Sequence, residues 1–462
     1  MTSGSVPRHL IAFSVPMLAG NAIQTAYSIV NAVWVGKFLG EANLAAVTIS
    51  FPIVFLLFAV AGGLTIGTSI LVSQFAGARE WDRLRKVVQT STVLIVCVSV
   101  LSLVVGQMLA PWIVRHMHAA PDIRPLAADY LRIYLYSIPA VFGMFLAAAM
   151  LRGMGDSKTP LYFLSAALVG TAILDPILIF GLIGFPRLGL NGTAIASVAM
   201  QTASLVCMYI YLYRKDHTAA PDWRHLTVDW PTLWLTFEIG LPSVVQQSLV
   251  SLGMLFVVSI VSGFRENATA AFGAAMRIDQ IAFLPALTFG GAVSTLTGQN
   301  IGAGRIERVK EVFRWGTIIC GGITLAMAIV AVTTPHILLR AFLSDPQALR
   351  IGIHYLRIMG ISYVCYAVMF VSNGVINGAG YTFVTTIMTL VALWAARVPL
   401  AYYLSNRMHR VEGVFIAMAA SSVLSMLISL GCYLSGFWKT PLVRHRPLPE
   451  PADPIEPFPS TE

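Results

Sequence analysis

The chain is expected to be an all-α integral membrane protein: twelve transmembrane helices in two six-helix lobes related by a pseudo-two-fold along the membrane normal. Composition, the spacing of apolar runs and an internal repeat predict this. Of 462 residues, 57% are hydrophobic and 11% charged, and mean hydropathy is +0.76. A soluble domain carries roughly 25% charged residues. Cys97, Cys207, Cys320, Cys365 and Cys432 fall singly in or beside apolar stretches, without the close spacing of a metal site. They read as packing residues, and neither metal nor cofactor is expected.

Apolar runs lie near 10–35, 46–72, 88–110, 127–151, 159–182, 189–213, 235–262, 272–297, 314–337, 352–375, 381–404 and 413–437. Each is near the ~20 residues that an α-helix needs to cross a bilayer core. The first is too long for a signal-peptide core, so it is expected to stay in the mature protein. Of the 30 lysines and arginines, 17 fall on one side, among them Arg8, Arg79, Arg83, Arg85, Lys86, Arg305, Arg308, Lys310 and Arg314. The opposite loops, including Arg265, hold nine, and Arg132, Arg277, Arg357 and Arg397 lie within or at the ends of spans. The positive-inside rule then puts both termini in the cytoplasm. The net charge of +9 is thereby topological, which argues against a nucleic-acid partner. Residues 441–462 are rich in proline and acids and read as a disordered cytoplasmic tail.

The longest polar connection, 214–230, separates 1–213 from 231–440. These halves repeat. Gln74 and Gln299 are 225 residues apart, as are Tyr130-Leu131-Arg132-Ile133 and Tyr355-Leu356-Arg357-Ile358, Gly153-Met154-Gly155 and Gly378-Ala379-Gly380, and Ala45-Ala46 and Ala270-Ala271. Pro16 and Pro242 are separated by 226, Pro176 and Pro399 by 223. A tandem six-helix unit follows. An even number of spans gives both copies one orientation, and such pairs hold substrate between them.

Between Thr159 and Leu182 the sole side chain that carries a charge near neutral pH is Asp175, followed by Pro176. A charge at that depth costs several kcal/mol unless paired, hydrated or protonated, so an ion or proton pathway is the first reading. A structural aspartate bonded to a neighbouring helix is the alternative. Asp279 follows Arg277 by two residues; side chains so spaced do not face each other on a helix. Asp279 either faces the central cavity or is hydrated near the outer end of its span. Glu238 reads as a first-turn acid. Gly77 and Gly302 to Gly304 read as left-handed caps and tight turns, and no Walker lysine follows them, which excludes ATP as the driving force. Met254 and Phe283 are candidates for an adaptable apolar lining.

The stretches Leu174-Asp175-Pro176-Ile177-Leu178-Ile179-Phe180-Gly181, Gly189 to Ser197, Arg277-Ile278-Asp279-Gln280-Ile281-Ala282-Phe283-Leu284-Pro285-Ala286-Leu287, Gly298-Gln299-Asn300-Ile301-Gly302-Ala303-Gly304 and Leu151-Arg152-Gly153-Met154-Gly155-Asp156-Ser157-Lys158-Thr159-Pro160 together resemble the multidrug and toxic compound extrusion (MATE) transporters. The resemblance spans roughly residues 8 to 437. It implies a V-shaped exporter alternating between inward and outward openings, driven by a proton or sodium gradient. Family members with a cation site in the first lobe usually have an acid in the first helix before a Val-Gly pair; this chain has Asn31, ahead of Val35-Gly36. One turn before the fifth-helix acid, where Asn is common, stands Thr171. Ser197 or Thr193 is expected to supply the sixth-helix hydroxyl to Asp175. In the second lobe the positions of other members' acids offer Gln246, Gln247 and Tyr366.

The expected function is therefore secondary antiport: export of amphipathic or cationic organic compounds across the inner or plasma membrane in exchange for H+ or Na+, by a monomer. A flippase of a lipid-linked intermediate is the alternative on the same plan, and needs a strongly cationic cavity. An enzyme is not expected, since nine scattered histidines and no clustered acids offer no catalytic constellation.

Overall fold

The computed structural model describes residues 1–116, 123–264, 266–440 and 442–443. The expectations for Arg265 and for the tail beyond Val443 fall outside them. The described chain is all-helical: α1 Val6–Trp34, α2 Glu41–Gly77, α3 Trp81–His116, α4 Ile123–Leu135, α5 Ile138–Gly153, α6 Lys158–Phe180, α7 Leu190–Arg214, α8 Trp230–Ser262, α9 Glu266–Gly302, α10 Ile306–Thr333, α11 Pro335–Arg340, α12 Pro346–Gly378, α13 Thr382–Thr389, α14 Val398–Met408 and α15 Glu412–Ser435. A π-helical segment, Leu390–Arg397, joins α13 to α14, and another, Val35–Leu39, follows α1. Among the described residues ten helices are singly long and apolar enough to cross a membrane, counting α13 to α14 as one, and the pair α4–α5 makes an eleventh. That pair is bent by 46°. Pro139 lacks the N–H that would bond the Leu135 carbonyl, and the Ser137 hydroxyl donates instead to Tyr134 O at 2.7 Å.

Lipid-facing and packed surfaces separate by helical period. α3 exposes Val96, Val100, Leu101, Val104, Val105 and Met108 while it buries Leu84, Val87, Val88 and Ile95. Small hydroxyls fill the inside, as where Thr68 Oγ1 donates to Ser91 Oγ at 3.0 Å. One apolar cluster gathers mainly α2 to α5, and a second joins α9, α12 and α15 through Phe272, Tyr355 and Phe415. A third unites Val6, Leu10 and Phe13 of α1 with Phe289, Val293 and Val371 from the second half. The start of α1 thus packs on the second half, whereas its end lies against α6.

Asp229 caps α8, accepting from Thr232 N at 3.1 Å. Hydrogen bonding from Thr232, and then Lys86, holds its carboxyl below the usual carboxylate range, so this cap stabilises the helix above that range and is lost as pH falls. Because α8 starts at Trp230, Glu238 lies in the third turn and not the first.

The two halves meet in a reciprocal contact. Gln74 Nε2 donates to Gly378 O at 2.7 Å, and Gln299 Nε2 donates to Gly153 O at 2.8 Å. Both glutamines are buried, at 0% and 4% exposure. Gly77 and Gly302 let the ends of α2 and α9 touch: a Cβ on Gly77 would collide with the Gln299 backbone, and one on Gly302 with that of Gln74. Close approach, rather than a left-handed cap, is why these two are glycine; only Gly304 takes positive φ, at 70°. The terminal segments lie over the same seam. Arg305 Nη1 and Arg308 Nη2 donate to Thr2 O and Gly4 O, each at 2.7 Å, and Leu442 N donates to Ala379 O at 3.4 Å.

Candidate ion and substrate sites

In the first half, α6 carries Asp175 into the protein, where it is 0% exposed. Pro176 cannot donate to the Ala172 carbonyl, which loosens the ladder at this depth. Asn31 Nδ2, from the last turn of α1, donates to Asp175 Oδ2 at 3.3 Å. Asp175 Oδ1 is buried without a hydrogen-bond partner, an arrangement that leaves one lone-pair face of the carboxylate open to a proton or cation. Among the described residues no hydrogen bond is formed between Ser197 and Asp175, and Tyr27 lies near Ser197, Asn31 and Asp175. Thr171 and Thr193 give their hydroxyls to backbone carbonyls, Ala167 O at 2.7 Å and Leu190 O at 2.9 Å. Of the expected partners, then, Asn31 meets the acid directly, and Tyr27, not singled out in the sequence, lies nearby.

In the second half, α9 presents Asp279 to two tyrosines of α12. Tyr363 donates to Oδ1 at 2.5 Å and Tyr355 donates to Oδ2. Tyr355 and Tyr363 are 0% and 1% exposed. Arg277 turns away, exposed, with its guanidinium 5.7 Å from the Phe342 ring centre. Phe283 packs edge-on against Tyr366 and Phe370, at 5.4 and 4.9 Å between centres. Gln246 Nε2 donates to Thr389 Oγ1 at 2.8 Å, tying α8 to α13, whereas Gln247 is exposed and Met254 half-buried. Among the described residues no group of three His, Cys, Asp or Glu could hold a metal ion.

Replacing Tyr355 or Tyr363 by Phe strips one donor from a half-buried carboxylate, which costs about 1–3 kcal/mol. Thermal unfolding of the purified protein is expected to show each loss, with a larger one in the double variant. Unchanged melting would mean that Asp279 finds other donors.

The family model described as MatE matches residues 16–177 and again residues 242–403. The chain is 33% identical over 442 residues to the Bacillus subtilis protein described as "Probable multidrug resistance protein YoeA", covering 94% of this chain and 95% of that one. Identity is 25% over 440 residues with the Thermotoga maritima protein described as "Probable multidrug resistance protein NorM", with 94% and 93% covered. A solved structure described as the "Outward-facing conformation of a multidrug resistance MATE family transporter of the MOP superfamily" superposes with a TM-score of 0.87 at 23% identity, over 94% of this chain and 96% of that one.

Proposed function

Since the chain belongs to the MatE family, and is thus a multi-pass membrane transporter of the multidrug efflux type, we propose that it is a secondary antiporter. It exports amphipathic or cationic organic compounds across the plasma membrane in exchange for protons, or for sodium, by alternating access. The observation that carries this reading is the buried Asp175 carboxylate, with one oxygen held by Asn31 and the other without a partner. A proton needs only that oxygen. Sodium would need several further oxygens to replace its water, and the side chain that the described hydrogen bonds bring to Asp175, Asn31, presents its amide nitrogen to the carboxylate. Protons are therefore favoured.

The architecture that goes with this function is two six-helix lobes, 1–213 and 231–440, joined by the cytoplasmic linker 214–230, with α1 counted as the twelfth span and both termini cytoplasmic. Two things support it. The family model matches twice, at residues 16–177 and 242–403. The bonds from Gln74 to Gly378 and from Gln299 to Gly153 exchange under the 225-residue register, as a two-fold between halves requires. Asp279 is a second candidate for ion or substrate. A flippase would gather its cations in one cavity, but Arg277 lies over Phe342 and Arg132 and Arg357 are exposed.

The test is dye accumulation in cells expressing the protein. Cationic dye is expected to be kept out by energised cells and to enter when the proton gradient is collapsed. Equal accumulation with and without the protein would overturn the reading.

A further inference from the structure

We propose that Arg397 forms an anion-binding subsite in the second half, taking a carboxylate, sulfonate or phosphate carried by an amphipathic organic substrate. Transport of that substrate rests on the export reading above; its binding does not.

Arg397 lies inside the apolar span Thr382–Met408. A guanidinium there is expensive unless compensated, and marks a functional site by default. Its hydrogen-bond partners are uncharged hydroxyls. Arg397 Nε donates to Ser421 Oγ at 2.7 Å and Nη2 lies 3.3 Å from Ser422 Oγ, and the Tyr366 hydroxyl is 3.2 Å from Ser422 Oγ. The five salt bridges among the described residues do not include it. The nearby acid, Asp279, has both oxygens engaged by Tyr355 and Tyr363. A guanidinium has five N–H donors in a planar fork, so three remain after the serine contacts. That fork, with the Tyr366 phenol beside it and Phe283 edge-on to Tyr366 at 5.4 Å, suits a ligand with an anionic group on an aromatic or apolar body.

Two independent features support a ligand site rather than a chance charge. Arg397 ends the eight-residue π-helical segment Leu390–Arg397. Such wide turns are rare and recur at functional sites. The second is the repeat. Ser197 and Ser422 are 225 residues apart, and Arg397 stands two residues before Pro399 where Asp175 stands one before its counterpart Pro176. Asp175 lies about 25 Å along its helix from Lys158, and Arg397 about 22 Å from Thr382, at ~1.5 Å per residue. Similar depths in the two halves thus carry opposite charges, one residue out of the proline register. The first half offers a cation site and the second an anion site, so one substrate molecule and one coupling ion need not compete for the same carboxylate.

Fluorescein and rhodamine 6G share a xanthene body and differ in charge. Their binding to purified protein in phosphatidylcholine nanodiscs, followed by fluorescence anisotropy, tests the proposal. Wild-type protein is expected to bind fluorescein, Arg397→Gln to weaken it by about tenfold or more, the range of a lost charge-assisted hydrogen bond, and Arg397→Lys to restore part of that loss. Rhodamine 6G binding should change less than about twofold, since surface-distant or unrelated contacts are untouched. Wild-type protein that binds rhodamine 6G but not fluorescein overturns the proposal without recourse to any variant, as does fluorescein affinity unchanged in Arg397→Gln. Either failure leaves rhodamine export by energised cells intact; loss of export of both dyes would instead sink the export reading.

Discussion

Asp175→Asn is expected to remove gradient-driven export, lowering the rate at least about tenfold, which corresponds to ~1.4 kcal/mol or more of lost coupling. The amide keeps the shape of the protonated acid and can still contact Asn31, so folding and dye binding should survive. Coupling cannot, because an ion shifts a conformational balance only by binding one state better than the other. Asparagine has no site for a proton. Efflux from energised membrane vesicles measures the rate, and thermal unfolding with anisotropy checks fold and binding. Export at the wild-type rate would make Asp175 a structural residue and shift attention to Asp279.

The second large effect is expected at the seam between the halves. A valine at Gly77 or Gly302 puts Cβ into the backbone of Gln299 or Gln74. Backbone cannot swing aside as a flexible side chain can, so α2 and α9 must part and the two glutamine bonds lengthen. Overpacking of this kind costs about 1–3 kcal/mol, and each 1.4 kcal/mol is a tenfold bias against the closed seam. Gly77→Val and Gly302→Val should therefore lose most export and melt earlier. Gly321→Ala and Gly322→Ala are matched controls, for nothing lies within 4 Å of a Cβ at either position. Alanine there should be neutral or slightly stabilising, since it is the better helix former. Export unaffected by both valines would show that the seam need not close.

The helices were legible because apolar length is a strong signal: each of the twelve runs corresponds to a helix or bent helix pair, and eleven of them are long and apolar enough to cross a membrane, the exception being α1. Periodicity could not reveal the breaks. The 127–151 run hid the bend at Pro139, and 381–404 hid the π-helical turn before Arg397. Asp175 stood out by its isolation in an apolar run, and its contact with Asn31 followed from the family resemblance, not from residue spacing. The tyrosines were missed for a physical reason. In a transmembrane helix a tyrosine counts as apolar, and nothing local says that its hydroxyl will meet a carboxylate from another helix. The repeat at Tyr130 and Tyr355 did offer a signal, but nothing in it names the partner. The structure shows that Tyr355 donates to Asp279, while Arg132 and Arg357 are exposed. Gly77 and Gly302 were found in the repeat and given the wrong reason, because the partner that demands glycine lies in the other half of the chain.

Proton coupling through Asp175 is tested most directly with purified protein reconstituted in liposomes, where a pH gradient or a sodium gradient is imposed alone and dye movement is followed. The expected result is transport driven by the pH gradient without sodium, and its disappearance in Asp175→Asn. Transport driven by sodium alone at full rate, with none from the pH gradient, would contradict it.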